Sequence, residues 1–328
     1  MSNLAKPLLT AEDLKEAADR IGPHAHRTPV LTSSYLDERV GTQLFFKCEN
    51  FQRIGAFKFR GAANAVFSLA PEDLERGVVA HSSGNHAQAL ALAARLRGTR
   101  ATIVMPTTAS AVKVVAVRGY GAEVVPCQPT VEDREQETDR VLRETGGTLI
   151  HPYNDRRIIA GQATAAMELL EQVEGLDLIL APVGGGGLLS GTTLAAHHFS
   201  PSTRVVGAEP AAADDAYRSL AAGEILPSVD PGTIADGLLT SLGDLTFAVI
   251  SELTDSIVTV SEEAIIEAMR TVWERMKIII EPSAAVPVAA LLEGKIDPAG
   301  QRVGVILSGG NVDLDRLPWS TRPSHRRS

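Results

Sequence analysis

The 328-residue chain reads as an α/β fold in which parallel-rich sheets carry helices on both faces. Short apolar runs alternate with longer helical patterns over most of the length. Two of these runs pass through glycine-containing turns straight into helical patterns, at 183–187 and 82–86. The composition is 44% hydrophobic but only 4% aromatic, with 28 glycines, which suits close packing of helices on sheets.

Strands are predicted at 44–47, 78–81, 102–105, 123–125, 178–183, 204–208 and 303–307, where short apolar runs occur. Helices are predicted over 56–69, 86–96, 131–144, 158–172 and 261–276. The last opens on Ser261. Ala264 breaks a strict capping box, but Glu262 and Glu263 suit the positive end of a helix. No linker marks a domain boundary. Residues 76–152 can form a small mobile α/β unit, inserted into a larger domain made of 1–75 and 153–328. The cleft between two such units is a favoured ligand site.

Bulk properties exclude several classes. A net charge of −9 argues against nucleic-acid binding, which needs clustered Lys and Arg. The basic tail of Arg322, His325, Arg326 and Arg327 lies beyond the last apolar run and is expected to fray. Cys48 and Cys127 are too few for a disulfide framework and lack metal-site spacing. The first ten residues have no long apolar core of a secretory signal. No stretch of 18 apolar residues could span a membrane. The expectation is a soluble cytoplasmic protein.

Pro182-Val183-Gly184-Gly185-Gly186-Gly187-Leu188 follows a buried-strand pattern and opens a helix. Glycines let backbone N–H groups converge on one anion, and a helix N-terminus adds positive potential, so phosphate is the natural guest. The loop lacks the Gly-Lys-Ser/Thr ending of a Walker loop. A dinucleotide loop is a rival, because Glu209 stands where a ribose-binding acid would. However, Leu189 or Ser190 occupies the third glycine place. The plainest alternative is a tight turn packing a helix on a sheet.

Lys58 lies between Phe57 and Phe59. Alone, such a lysine is usually a surface group whose stem covers apolar area. Apolar flanks also lower an amine's pKa and so favour attack on an aldehyde. His81-Ser82-Ser83-Gly84-Asn85-His86 follows another strand and opens another helix. It could receive a carboxylate, or Ser83 or Asn85 could simply cap the helix.

Together and in this order, these motifs resemble the fold-type II pyridoxal-phosphate (PLP) enzymes, in particular the serine racemase and serine/threonine dehydratase family. The likeness covers nearly the whole chain. It includes Phe57-Lys58-Phe59-Arg60-Gly61, Ser82-Ser83-Gly84-Asn85-His86-Ala87-Gln88, His151-Pro152-Tyr153 and Ile159-Ala160-Gly161-Gln162. It extends to Ala235-Asp236-Gly237 and Ser308-Gly309-Gly310-Asn311. Ser82-Ser83, Glu209-Pro210 with Ala213-Asp214-Asp215, and Trp273-Glu274-Arg275-Met276-Lys277 running to Ile280-Glu281-Pro282-Ser283 look more like serine racemases than catabolic threonine dehydratases.

The resemblance implies a tryptophan synthase β-like fold of two α/β domains, with the active site in the cleft between them. Lys58 would carry PLP as a Schiff base, with Phe57 packed on the ring. Gly184, Gly185, Gly186, Gly187 and Leu188 would hold the phosphate. Asn85 would bond the ring hydroxyl and Ser308 the ring nitrogen. A hydroxyl there does not enforce a pyridinium, so the ring is a weaker electron sink that favours elimination or racemisation over transamination.

The substrate carboxylate would rest on Ser82, Ser83, Asn85 and His86. Lys58 would take the α-proton on one face, and Ser83 would act as acid–base partner on the other. One site would then dehydrate L-serine or L-threonine to a keto acid and ammonia, and also racemise serine. Arg134 and Ser241 match positions that reach the substrate. Arg134 could accept a second carboxylate, as on aspartate or 3-hydroxyaspartate, or could be a solvated charge. Glu209, the Ala213 carbonyl and Asp215 look like ligands for Mg²⁺, Ca²⁺ or Mn²⁺, although two carboxylates at a helix start would look the same. Gln88, Lys113 and Tyr120 match part of an ATP effector site at the family's dimer interface. A non-catalytic PLP carrier and a nucleotide-binding protein remain the rival classes.

Overall fold

The structure is a computed structural model that describes residues 9–109 and 111–320. The stretch 1–8 and the basic tail with Arg322, His325, Arg326 and Arg327 lie outside the described residues. Among the described residues, no helix is long and apolar enough to cross a membrane.

The strands in chain order are β1 (Val30–Leu31), β2 (Gln43–Cys48), β3 (Val78–His81), β4 (Ala101–Pro106), β5 (Glu123–Cys127), β6 (Thr148–Leu149), β7 (Leu178–Pro182), β8 (Arg204–Pro210), β9 (Ser256–Val260) and β10 (Arg302–Leu307). One sheet has the order β1-β2-β10-β7-β8-β9 and the other β5-β4-β3-β6. All neighbours pair in parallel except the edge strand β1, which runs antiparallel to β2. All seven expected strands are present. The sequence reading did not include β1, β6 or β9.

Alternation along the central strands sends side chains to both faces of the larger sheet. Leu178, Leu180, Val303, Val305 and Leu307 pack toward the helices Glu262–Met276 and Pro282–Leu292. Ile179, Ala181 and Ile306 pack toward Arg156–Gln172 and Gly187–Phe199. Burying each such aliphatic side chain contributes about 1.5–3 kcal/mol. Ser261 does cap Glu262–Met276, its hydroxyl accepting Ala264 N–H at 3.2 Å.

The helix expected at 56–69 runs over Lys58–Phe67 instead. It begins late because the backbone before it is bound elsewhere: Ala56 bridges Gly309, and Phe57 N–H donates to the Ser308 carbonyl at 2.9 Å. Its apolar residues Phe59, Ala62, Ala63 and Val66 join Val78, Ala80, Leu90 and Ile103 in one cluster beneath the second sheet. It also lies close against Arg156–Gln172. A Cβ on Gly161 would come within 2.6 Å of the Arg60 carbonyl oxygen, so this crossing requires glycine.

Candidate active site

The turns that follow β3, β7 and β10 leave the carboxyl ends of parallel strands, where open α/β sheets place their ligands. Contacts tie these turns into one site. Lys58 Nζ donates to the Pro152 carbonyl at 2.8 Å, and its neighbour Tyr153 lies against Gly185. Phe57 joins Ser308 through the backbone, and Asn85 joins Asn311 through the side chains.

Lys58 stands at the first turn of its helix, with its ammonium 5.2 Å from the Phe57 ring centroid. Burial pushes its pKa down to about 8, against the opposing pull of the Glu281 carboxylate. A larger share of free amine is therefore present at neutral pH than for an ordinary lysine.

The glycine loop is shaped by close approach. A Cβ on Gly185 would fall 2.3–2.4 Å from ring carbons of Tyr153. Gly186 has φ +86°, where a side chain would be strained and would also meet Leu242, Thr246 and Ile250. Gly186 caps the helix Gly187–Phe199 with no side-chain hydrogen bond. Leu188 is buried just inside that helix, and Ser308 is buried after β10.

The helix after β3, Asn85–Arg97, also starts without a side-chain cap. Neither Ser83 nor Asn85 caps it, so the plain capping alternative fails. Ser82 Oγ accepts Gly84 N–H at 3.3 Å, and Ser83 is half-buried. Asn85 Nδ2 donates to both oxygens of Glu281, at 2.9 and 3.2 Å. His86 is buried, with Nε2 3.0 Å from the Ile150 carbonyl and Nδ1 without a partner among the described residues. Desolvation, then Lys58, holds its pKa down to about 3.

Further polar groups line this region. His151 is pushed down to about 4 by burial, then by His81 and Lys58. Its Nδ1 accepts Asn154 N–H at 2.9 Å, and its ring meets that of His81 edge-on at 6.0 Å. Burial, then the nearby Arg134 guanidinium, lowers the pKa of His81. Arg134 is half-buried on Val131–Thr145. Its Nε is buried and has no partner among the described residues. Ser241 Oγ accepts Ser228 N–H at 2.7 Å, and its neighbour Leu242 lies beneath Gly186.

Away from the turns, Glu209 is fully buried and accepts Ala216 N–H at 3.1 Å and Tyr217 N–H at 2.9 Å. A ribose has no access to it, which removes the acid on which the dinucleotide reading rests. Asp215 is buried, with no hydrogen-bond partner for either carboxylate oxygen among the described residues, and Ala213 lies between the two acids in a short 3-10 turn. Among the described residues, no group of three or more His, Cys, Asp or Glu is placed to hold a metal. Two carboxylates and a carbonyl remain, with Asp215 supplying open oxygens. Lys113 pairs with Asp236 at 2.7 Å, and Tyr120 lies 5.5 Å from the Arg95 guanidinium.

The family described as "Pyridoxal-phosphate dependent enzyme" matches residues 21–309. The chain belongs to this family. It is 53% identical to a beta-hydroxyaspartate dehydratase of Paracoccus denitrificans, over 95% of this chain and 99% of that one. It is 52% identical to a serine racemase of Dictyostelium discoideum, over 94% and 97%. The crystal structure of that racemase superposes with a TM-score of 0.91, covering 94% of this chain and all of the other.

The site fits the cofactor of a PLP enzyme. Gly185 and Gly186 admit no side chain against Tyr153, Leu242, Thr246 and Ile250, and they lead into a helix that starts without a side-chain cap, which suits a phosphate. Lys58 presents a desolvated amine beside an aromatic ring. The sequence reading assigned no role to Glu281, Asn311, His151 or Tyr153. All four lay inside quoted motifs, but nothing in those motifs says which of them touch. Glu281 had the clearest signal, a carboxylate immediately before the Pro282 that opens a helix.

Proposed function

We propose that this PLP enzyme dehydrates small β-hydroxy amino acids to a keto acid and ammonia, and racemises serine at the same site. The observation that carries this reading is the desolvated Lys58 amine placed beside an uncapped turn rich in hydroxyl and amide groups. The cofactor, when bound, supplies the electron sink that makes the substrate α-proton acidic. Lys58 is the group that takes this proton. The Ser82 and Ser83 hydroxyls and the backbone N–H groups at the head of Asn85–Arg97, those of Asn85 and His86 among them, bind the substrate carboxylate. Ser83 delivers a proton to the other face, which inverts the configuration. Phe57 and Ser308 flank the cofactor ring, and Gly184, Gly185, Gly186, Gly187 and Leu188 hold its phosphate.

A second reading is supported by the unpartnered Arg134 Nε. A half-buried guanidinium with an open donor suits the distal carboxylate of 3-hydroxyaspartate or aspartate, with Ser241 as a further substrate contact. The likeness to a beta-hydroxyaspartate dehydratase supports it too. Residues 76–152 act as a small unit that brings Arg134 over the substrate. The enzyme works as a cytoplasmic homodimer, with Mg²⁺, Ca²⁺ or Mn²⁺ held by Glu209, Asp215 and the Ala213 carbonyl. ATP acts as an effector through Gln88, Lys113 and Tyr120 only where it displaces Asp236 from Lys113.

The test is a panel of L-serine, L-threonine, L-aspartate and 3-hydroxyaspartate with chiral product analysis, with and without Mg²⁺ and ATP. Keto acid from serine or threonine together with D-serine supports the first reading. Turnover confined to the dicarboxylates, and lost in Arg134→Ala, supports the second. No turnover of any of them by the PLP-loaded chain contradicts both.

A further inference from the structure

The turn that delivers Lys58 is held in an unfavourable shape. Ile54 has φ 59° and ψ 9°, a left-handed conformation that a β-branched residue rarely adopts, and Gly55 follows at φ +71°. Such a turn persists only where its surroundings over-determine it. Three hydrogen bonds fasten it to the segment after β10. Asn311 Nδ2 donates to the Ile54 carbonyl at 2.7 Å, Gly310 N–H to the Gly55 carbonyl at 2.9 Å, and Phe57 N–H to the Ser308 carbonyl at 2.9 Å.

Only one of these bonds uses a side chain, and that side chain does more. Asn311 Nδ2 also donates to Asn85 Oδ1 at 2.9 Å, and Asn311 N–H donates to Glu281 Oε2 at 3.1 Å. A carbonyl can only accept, so facing Ile54 the amide must present its nitrogen. Both of its hydrogens are then committed. With its oxygen taken by Asn311 and its nitrogen facing Glu281, the Asn85 amide has one orientation.

We propose that Asn311 is a positioning residue: it clamps the strained Ile54–Gly55 turn so that Lys58 enters the cleft in register with Asn85. It does so without touching the substrate. This inference rests on Lys58 as the reactive lysine, but the turn itself can be read out independently of that.

The experiment is a double-mutant cycle on the full chain. Asn311→Ala and Asn311→Asp are each made in the wild-type and Ile54→Gly backgrounds. Glycine relieves the left-handed strain, so the clamp should matter less there. Amide hydrogen exchange at residues 53–57 is measured on the cofactor-free chain, and PLP affinity and kcat on the loaded one. In the wild-type background, both substitutions should speed exchange and weaken PLP binding and kcat, each roughly tenfold. In the Ile54→Gly background Asn311→Ala should change exchange at 53–57 by less than about twofold. Asn311→Asp keeps the shape but loses both donors and sets a second carboxylate beside Glu281, so in the wild-type background it should lose at least as much as Asn311→Ala. An equal rise in exchange in both backgrounds, or unchanged exchange at 53–57, would overturn the clamp. Loss of kcat with unchanged exchange would leave Lys58 as the reactive lysine and reject only the role of Asn311.

Discussion

At the scale of single residues, the proposed function puts Lys58, a desolvated amine, and Ser83, a half-buried hydroxyl, on opposite faces of the substrate. Ser83→Ala should therefore abolish D-serine formation while L-serine elimination stays within about tenfold of wild type, as chiral chromatography of products would show. Equal loss of both activities would contradict a two-faced site. The histidines give a pH signature. Burial holds His86 at about 3 and His151 at about 4, whereas in the unfolded chain each returns to about 6.5. Between those values the unfolded chain binds more protons, so stability falls as pH drops below about 6.5. Melting temperature measured from pH 7 to pH 4 should decline, and His151→Asn should flatten that decline. Lys58, Ser308 and the glycine loop were legible as candidates because their motifs, taken together, resemble a known family. Glu281 and Asn311 were not, because their role arises from chain segments 196 and 257 positions apart meeting at one turn.

At the scale of elements, strands were the easiest to read, because the central ones are apolar on both faces. β9 was missed because it is an edge strand in which only Ile257 and Val260 are buried. The helix of Lys58 was displaced by two residues because the tertiary bonds to Ser308 and Gly309 compete with helical ones. That helix is anchored from behind by buried charges. Arg60 bonds Glu49 and Glu168, and Lys47 bonds Glu168, with Arg60, Lys47 and Glu49 fully buried. In the sequence, Lys47 looked like the end of a strand and Arg60 like part of a motif. Nothing there paired them. Arg60→Met leaves two carboxylates facing one lysine and should cost about 3–5 kcal/mol in denaturant unfolding. A cost below about 1 kcal/mol would mean that the network relaxes without it. In the glycine loop, Gly185→Ala should weaken PLP affinity at least roughly tenfold in a titration of the cofactor-free chain, because Tyr153 has to move.

At the scale of the molecule, turns from two parallel-rich sheets meet at one site, and the chain crosses between the sheets through the Lys58 helix. The four strands of the second sheet all fall within 78–149, inside the segment that the sequence marked as an insertion. Its apolar cluster nevertheless includes Ile54, Phe59 and Val66, so this segment does not close a core of its own but packs on the turn and helix that precede it. No linker composition signalled this, because the crossing is made by an alanine-rich helix that looks like any other. Lys113 and Asp236 add an exposed ion pair between Ala111–Gly119 and the turn beside Gly184. The account as a whole stands on Lys58 as the residue that carries the cofactor. The most direct measurement is borohydride reduction of the PLP-loaded chain followed by peptide mass mapping. The pyridoxyl group should be found on Lys58 and be absent from Lys58→Ala; its attachment to any other lysine, or to none, would contradict the account.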